Sequence, residues 1–306
     1  MNGIVLIVNP VSGNGKAMKA FQKTSRYLTK KNISFRSFFT EYRGHAEVIA
    51  RQVAAVQNYR LETVIGIGGD GTIHEIINGL SSYPSIKIGF IPAGTGNDFR
   101  RGFRLPAGTL NCLNRILSVQ SDKVDAGEYF LEKQNSRFFI NSMGAGFDAC
   151  VAAHAGSMKA KKWLNACGLG FLIYPAALIK VLGSYQPVRM KMEVDDHKME
   201  FGHVWFAAIS NQPYYGGGMK IAPDADPKNG TLTVTVVHSL SKLKLLLVFI
   251  TVFFGKHTLL KEVEVFSGTA IAIETDRPVP VHADGEACGT VPVKINLCPR
   301  KVRIIA

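Results

Sequence analysis

The chain is short of acid: 23 Asp and Glu stand against 36 Lys and Arg in 306 residues, a formal charge of +13. Such a surface favours polyanions such as nucleotides, nucleic acid or anionic lipid headgroups, and its sign alone does not choose among them. Cysteine is sparse and unpatterned. Cys112, Cys150, Cys167, Cys288 and Cys298 form no CxxC pair, and their odd number excludes a complete disulfide framework, so a reducing cytoplasm is the expected setting. The eight histidines are scattered with no HExxH spacing, and no GxSxG elbow is present, which removes zinc-protease and serine-hydrolase readings. Repeats, low-complexity tracts and a Pro/Ser linker are absent, and the N-terminus lacks the charged and apolar regions of a secretory signal. Long apolar runs are also few. Leu243 to Phe254 is too short to span a bilayer; Trp163 to Leu182 is long enough but carries Asn165, Gly168, Gly170, Pro175 and Lys180 and reads as a buried or interfacial helix. Lys159, Lys161, Lys162 and Trp163 at its edge fit a segment lying on a bilayer or a solvated turn beside a core tryptophan.

What is present begins with a rhythm. Ile4 to Val8, Ile33 to Phe39, Thr63 to Ile67 and Ile86 to Ile91 read as strands, with helices starting near Lys16, His45 and Thr72 between them. Such alternation predicts an α/β domain with a mostly parallel sheet. From about Lys123 short β-like runs dominate: Arg137 to Asn141, Val188 to Val194, Val204 to Ser210, Leu232 to Val237, Val263 to Phe266, Ala270 to Ile273 and Val291 to Leu297. The expected division is therefore a nucleotide-binding domain over 1–122 and a mainly antiparallel β-rich domain over 123–298.

Gly68-Gly69-Asp70-Gly71-Thr72 sits between a strand and a helix start. Glycines there let backbone N–H groups close on a phosphate at the positive end of a helix dipole. Asp70 would repel that phosphate unless a divalent cation lay between them, so the motif points to phosphoryl transfer with Mg²⁺. The stretch Gly66 to Gly71 also satisfies GxGxxG, but a ribose-binding acid about 20 residues on is missing, and the motif is not in the first βα turn. Ser12-Gly13-Asn14-Gly15-Lys16 lacks P-loop spacing yet can still cradle phosphate. Pro92-Ala93-Gly94-Thr95-Gly96-Asn97-Asp98 follows a third strand, and loops at the carboxyl ends of parallel strands converge on one crevice, which pairs Asp98 with Asp70. His282-Ala283-Asp284-Gly285-Glu286 reads either as a wet Asp-Gly hairpin turn or as the source of a base that accepts a hydroxyl proton. Lys16, Lys19, Lys23, Arg26 and Lys30 share one helix side, with Ala17, Ala20, Phe21 and Leu28 on other faces, a solvated face or an attachment to an anionic membrane.

Four blocks in this order, Asn9-Pro10-Val11-Ser12-Gly13, Gly68 to Glu75 with Asn78-Gly79-Leu80, Ile91 to Phe99 and Asp284-Gly285-Glu286, closely resemble the diacylglycerol kinase catalytic-domain family. That family includes soluble bacterial lipid kinases and the sphingosine and ceramide kinases. The GGDG turn alone is shared with NAD kinases and phosphofructokinases. The resemblance covers nearly the whole chain and implies an NAD kinase/phosphofructokinase-like α/β domain, a C-terminal antiparallel β-sandwich, an active site between them, and residues 299–306 free to return to the first domain. It implies that Asn9, Pro10, Val11, Ser12, Gly13, Thr40, Gly69, Asp70, Gly71, Thr72, Ile73, His74, Glu75 and Thr95 bind ATP. Asp70, Asp98 and Glu286 would organise Mg²⁺, and Asp284 or Glu286 would be the base. A second, structural Mg²⁺ is implied at Asp226, Asn229 and Thr231, where Asn229 replaces a carboxylate and Lys228 adds repulsion.

The expected activity is ATP-dependent phosphorylation of a diacylglycerol-like lipid by a cytoplasmic protein touching an anionic membrane surface, without nucleic acid and with a homodimer allowed. A kinase of a small soluble alcohol such as NAD, and a non-catalytic basic lipid-binding protein, are the competing readings.

Overall fold

The computed structural model describes residues 3–56, 61–132, 134–157 and 173–306. The chain divides into two compact units, residues 1–125 with 299–306, and residues 126–298. The edge formed by Lys159, Lys161, Lys162 and Trp163, and much of the apolar run behind it, lie outside the described residues.

The first unit is built on five parallel strands. β1 (Gly3–Val8) lies between β2 (Phe35–Phe39) and β3 (Leu61–Gly68), β4 (Lys87–Pro92) pairs with β3, and the end of the last strand of the chain, Arg303 and Ile304, pairs with β4. The apolar runs of β1, β3 and β4 are buried on both faces, as a parallel sheet covered by helices requires, while the edge strand β2 leaves Phe38 and Phe39 exposed. Ile4, Leu6 and Val8 share a core with α1 (Lys16–Lys30) and α5 (Thr109–Ser118). α2 (His45–Ala55) and α3 (Asp70–Gly79) pack together as a second helical pair. α3 starts at Asp70, two residues earlier than the apolar period indicates, because the glycine turn before it is tight. α4 (Asp98–Gly102), a single short turn, was not legible as a helix. Ile305 is buried in the same core, and its N–H donates to Ile88 O at 2.9 Å.

The second unit is antiparallel throughout. β5 (Asp122–Leu131) enters it and pairs with β6 (Arg137–Phe139); further on, β7 (Ser142–Gly146), β8 (Val188–Val194) and β9 (His197–Ser210) join it. After the small hairpin of β10 (Tyr214–Tyr215) and β11 (Met219–Lys220) come β12 (Leu232–His238), β13 (Val263–Gly268), β14 (Ala270–Thr275), β15 (Pro280–Ala283), β16 (Glu286–Thr290) and β17 (Val293–Ile304). The order β16-β15-β7-β9-β8-β14-β17 runs through the unit, with β12 joining β9 to β13. Among the described residues the helices α6 (Phe147–Ser157), α7 (Ile173–Ser184) and α8 (Lys242–Val252) cover a core around Trp205, whose Nε1 donates to Leu240 O at 2.9 Å. No described helix is long and apolar enough to cross a membrane.

Gly127 on β5 faces the fully buried ring of Phe139 on β6, and a Cβ there would stand 2.1 Å from the ring's Cζ. Gly127→Val should therefore displace Phe139 and destabilise the protein by about 1–3 kcal/mol, an overpacking cost read as a lowered urea midpoint at unchanged slope.

Candidate functional site

In the first unit the loops after β1, β3 and β4 close on one another at the carboxyl ends of their strands. Asn9 N donates to Ile67 O at 3.0 Å, and Ala93 N and Gly94 N both donate to Gly68 O, at 2.7 and 3.1 Å. The approach is so close that side chains are excluded. A Cβ on Gly94 would lie 2.6 Å from Gly69 Cα, and one on Gly13, which has φ +60°, would lie 1.8 Å from Ala93 O. The result is a backbone-walled cradle. The N-cap positions of α1 and α3, Gly15 and Gly69, offer no side-chain cap; loop carbonyls meet the first amides of α1, with Lys16 N on Gly13 O and Ala17 N on Ser12 O at 3.3 Å each, while in α3 Thr72 N donates to Gly69 O at 3.0 Å.

Two carboxylates border the cradle. Asp70 Oδ1 accepts from Phe99 N at 3.0 Å, and Asp98 Oδ1 accepts from Arg101 Nη1 at 3.0 Å. Their Oδ2 atoms both turn toward Gly96, standing 2.8 and 3.9 Å from where its Cβ would be, so they lie within about 7 Å of each other. Asn9 Nδ2 donates to Thr72 Oγ1 at 3.3 Å, while the buried Oδ1 atoms of Asn9 and Asn97 find no partner among the described residues. Such orphaned acceptors fit a ligand that brings donors or ordered water.

Other residues of the sequence motif face elsewhere. Glu75 spends both oxygens on the start of α2, accepting from Gly44 N at 2.8 Å and Ala46 N at 3.0 Å. Ile73 is core, and His74 is buried beside Asn78. Thr40 is buried at the end of β2, its N–H on Val8 O at 2.9 Å, and Val11 is 81% exposed in the first loop beside the half-exposed Pro10. The basic face of α1, from Lys16 to Lys30, is exposed as its spacing predicts.

In the second unit Asp284 and Gly285 turn the β15–β16 hairpin with φ +50° and +83°, as an Asp-Gly turn prefers. The turn is more than a wet corner. Asp284 Oδ1 accepts from Asn141 N at 2.8 Å and Ser142 N at 3.1 Å, and Oδ2 accepts from Ile140 N at 3.1 Å. Glu286 opens β16 two residues later, half-exposed. His282, 2% exposed, places Nε2 3.3 Å from Asp148 Oδ2 and stacks on Tyr215. Beside these lies a buried polar row absent from the sequence motifs: Gln212 Nε2 donates to Asn141 Oδ1, and Asn211 Nδ2 to Ile140 O at 2.9 Å. The buried Ser142 Oγ, Ser210 Oγ and Gln212 Oε1 find no partner among the described residues. The signal for this row was available, since Ser210-Asn211-Gln212 abruptly ends an apolar strand. Cys288 and Cys150 are pushed up to about 11 by burial, so neither thiol is a nucleophile at neutral pH.

The stretch Asp226 to Thr231 is self-satisfied. Asp226 Oδ1 accepts from Lys228 N at 3.0 Å, and Asn229 Oδ1 accepts from Thr231 N at 3.0 Å and Thr231 Oγ1 at 3.1 Å. The turn thus carries one carboxylate, and Asn229 Oδ1 already accepts twice, a poorer donor set for a second Mg²⁺ than two carboxylates. Among the described residues no three His, Cys, Asp or Glu side chains gather as a metal group. The first site is a different case, because Mg²⁺ at nucleotides takes one or two carboxylates and completes its shell with phosphate and water, a demand that Asp70 and Asp98 fit.

Residues 3–137 match the model of the diacylglycerol kinase catalytic domain, and residues 141–306 that of the YegS C-terminal NAD kinase beta sandwich-like domain. YtlR of Bacillus subtilis is 36% identical over 97% of each chain, and a diacylglycerol kinase of Mycobacterium tuberculosis is 27% identical over 99% of this chain and 94% of its own. Among solved structures, one from Bacillus anthracis superposes with a TM-score of 0.81 at 23% identity over 99% of this chain and 97% of that one. Yeast NADH kinase in complex with NADH shares the fold alone, with a TM-score of 0.56 at 10% identity over 99% of this chain and 82% of that one. Matched in both halves and along nearly its full length, the chain belongs to the diacylglycerol kinase catalytic-domain family, lipid kinases that join this α/β domain to a YegS-type β-sandwich.

Proposed function

We propose that the protein transfers the γ-phosphate of ATP to the hydroxyl of a diacylglycerol-like lipid at the cytoplasmic face of a membrane. The observation that carries this reading is the glycine-walled cradle of the first unit with Asp70 and Asp98 both turned toward Gly96. Main-chain amides of Gly13, Gly69, Gly71 and Thr95 and the hydroxyl of Ser12 would hold the phosphates, and Asn9 would offer its orphaned carbonyl to the nucleotide or its water. Asp70 and Asp98 would hold Mg²⁺, which supplies charge neutralisation on the phosphates when bound.

Of the two candidate bases, Glu286 fits better. Both oxygens of Asp284 already accept main-chain N–H groups, so it braces the hairpin while Glu286 takes the proton of the acceptor hydroxyl as that oxygen attacks the γ-phosphorus and ADP leaves. The unpartnered Ser142, Ser210 and Gln212 oxygens support a polar, hydroxyl-bearing headgroup nearby. The exposed cationic side of α1 supports contact with anionic lipid.

Asp70→Asn should lower kcat on diacylglycerol in mixed micelles by about a hundredfold or more, since Mg²⁺ contributes several kcal/mol of charge stabilisation; full activity in this variant overturns the metal assignment. Glu286→Gln should cost about 10²–10⁴ in kcat at unchanged melting temperature, whereas Asp284→Asn should also lower the melting temperature, and an unimpaired Glu286→Gln enzyme would return the base to Asp284. Gly94→Ala should abolish ATP binding in calorimetry, because its methyl meets the Gly69 backbone rather than a movable side chain. Turnover of NAD without lipid, in place of diacylglycerol, would overturn the lipid assignment.

A further inference from the structure

After Lys242 and Lys244 in its first turn, α8 is apolar on nearly every side. Leu245, Val248 and Val252 are buried in the core around Trp205, as the inner face of a surface helix should be. The outer face should then be polar, and it is not. Leu243, Leu247, Ile250 and Phe254 are 71, 60, 60 and 72% exposed. The steps of four and three residues set Leu243, Leu247 and Ile250 in one stripe of α8, and Phe254 follows in the turn just past its end. Leu259, the last residue of the short 3-10 turn Lys256–Leu259, is 83% exposed, and Ile179 on α7 is 66% exposed. A helix that is hydrophobic all round belongs in a protein interior or in lipid, and a contiguous exposed apolar stripe marks an interaction surface.

Charge identifies the occupant. From Ser239 to Lys261 the chain has no Asp or Glu but four lysines, Lys242, Lys244, Lys256 and Lys261. Lys244 is engaged by Glu262, and Lys242 Nζ donates to Gly183 O at 3.0 Å, while Lys256 and Lys261 are exposed on either side of Leu259. A second copy docked through this stripe would set lysine against lysine. An anionic surface would meet them with opposite charge.

We propose that α8 and the turn from Gly255 to Lys261 form a membrane-docking face. Its Leu, Ile and Phe side chains enter the boundary between headgroups and acyl chains of a bilayer while Lys256 and Lys261 meet anionic headgroups. This rests on the reading of the acceptor as a lipid, which would reach the enzyme from that bilayer. It differs from attachment through α1, which offers charge without an exposed apolar stripe.

The test uses the full-length protein and vesicles of phosphatidylcholine with or without phosphatidylglycerol. The double variant Leu247→Glu with Ile250→Glu should lower partition onto phosphatidylglycerol vesicles at least tenfold and lower turnover of vesicle-borne diacylglycerol in parallel. It should leave turnover of a short-chain diacylglycerol, dissolved as monomer, unchanged, because these side chains lie on the surface. Lys256→Glu with Lys261→Glu should weaken binding to phosphatidylglycerol vesicles and not to pure phosphatidylcholine. Unchanged partition in the Leu247 and Ile250 variant overturns the docking face while leaving the kinase reading standing. Wild-type protein that binds these vesicles but turns over no diacylglycerol, even as monomer, overturns the kinase reading instead. A wild-type dimer that the variant converts to monomer, with vesicle partition unaffected, assigns the stripe to self-association and also overturns the proposal.

Discussion

The near-contact of two backbones, at Gly69 and Gly94, is the constraint on which the first unit's site depends. Three loops from β1, β3 and β4 share one crevice only because no side chain stands between them. The same closeness concentrates amide groups and helix N-termini into a field that favours anions, and Asp70 and Asp98 at its border then demand a cation as intermediary. Phosphate affinity and metal dependence thus follow from one piece of steric economy.

The second unit solves a different problem, which is to hold carboxylates still. Asp284 sits in a left-handed turn and is pinned by the N–H groups of Ile140, Asn141 and Ser142, so the hairpin carrying Glu286 is fixed against the end of β6 and the start of β7. Gly127 accommodates Phe139 immediately before those donors. Packing in the core of this unit therefore bears directly on the position of its acids. His282 with Asp148, and the row from Ser142 to Gln212, extend the buried polar zone in a unit otherwise dominated by Val, Ile and Leu.

The strands of the first unit were plain in the sequence because a parallel sheet covered on both faces needs unbroken apolar runs such as Ile4 to Val8 and Thr63 to Ile67. Helical content in the second unit was harder to see. β7, Ser-Met-Gly-Ala-Gly, has almost no strand propensity and is held by its neighbours β9 and β15. α8 has so little amphipathic contrast that its apolar stretch suggested a membrane check rather than a surface helix.

Residue type and spacing alone determined the chemistry on offer: glycines and acids at the ends of apolar strands, a surplus of lysine, and cysteines in no CxxC spacing. Tertiary structure decided which of these groups remain available. Glu75 is consumed in capping α2, Asn229 in its own turn, and Asp284 by amides lying up to 144 residues earlier in the chain. A carboxylate's role depends on which donors reach its oxygens, and donors so distant in sequence leave no local pattern to read.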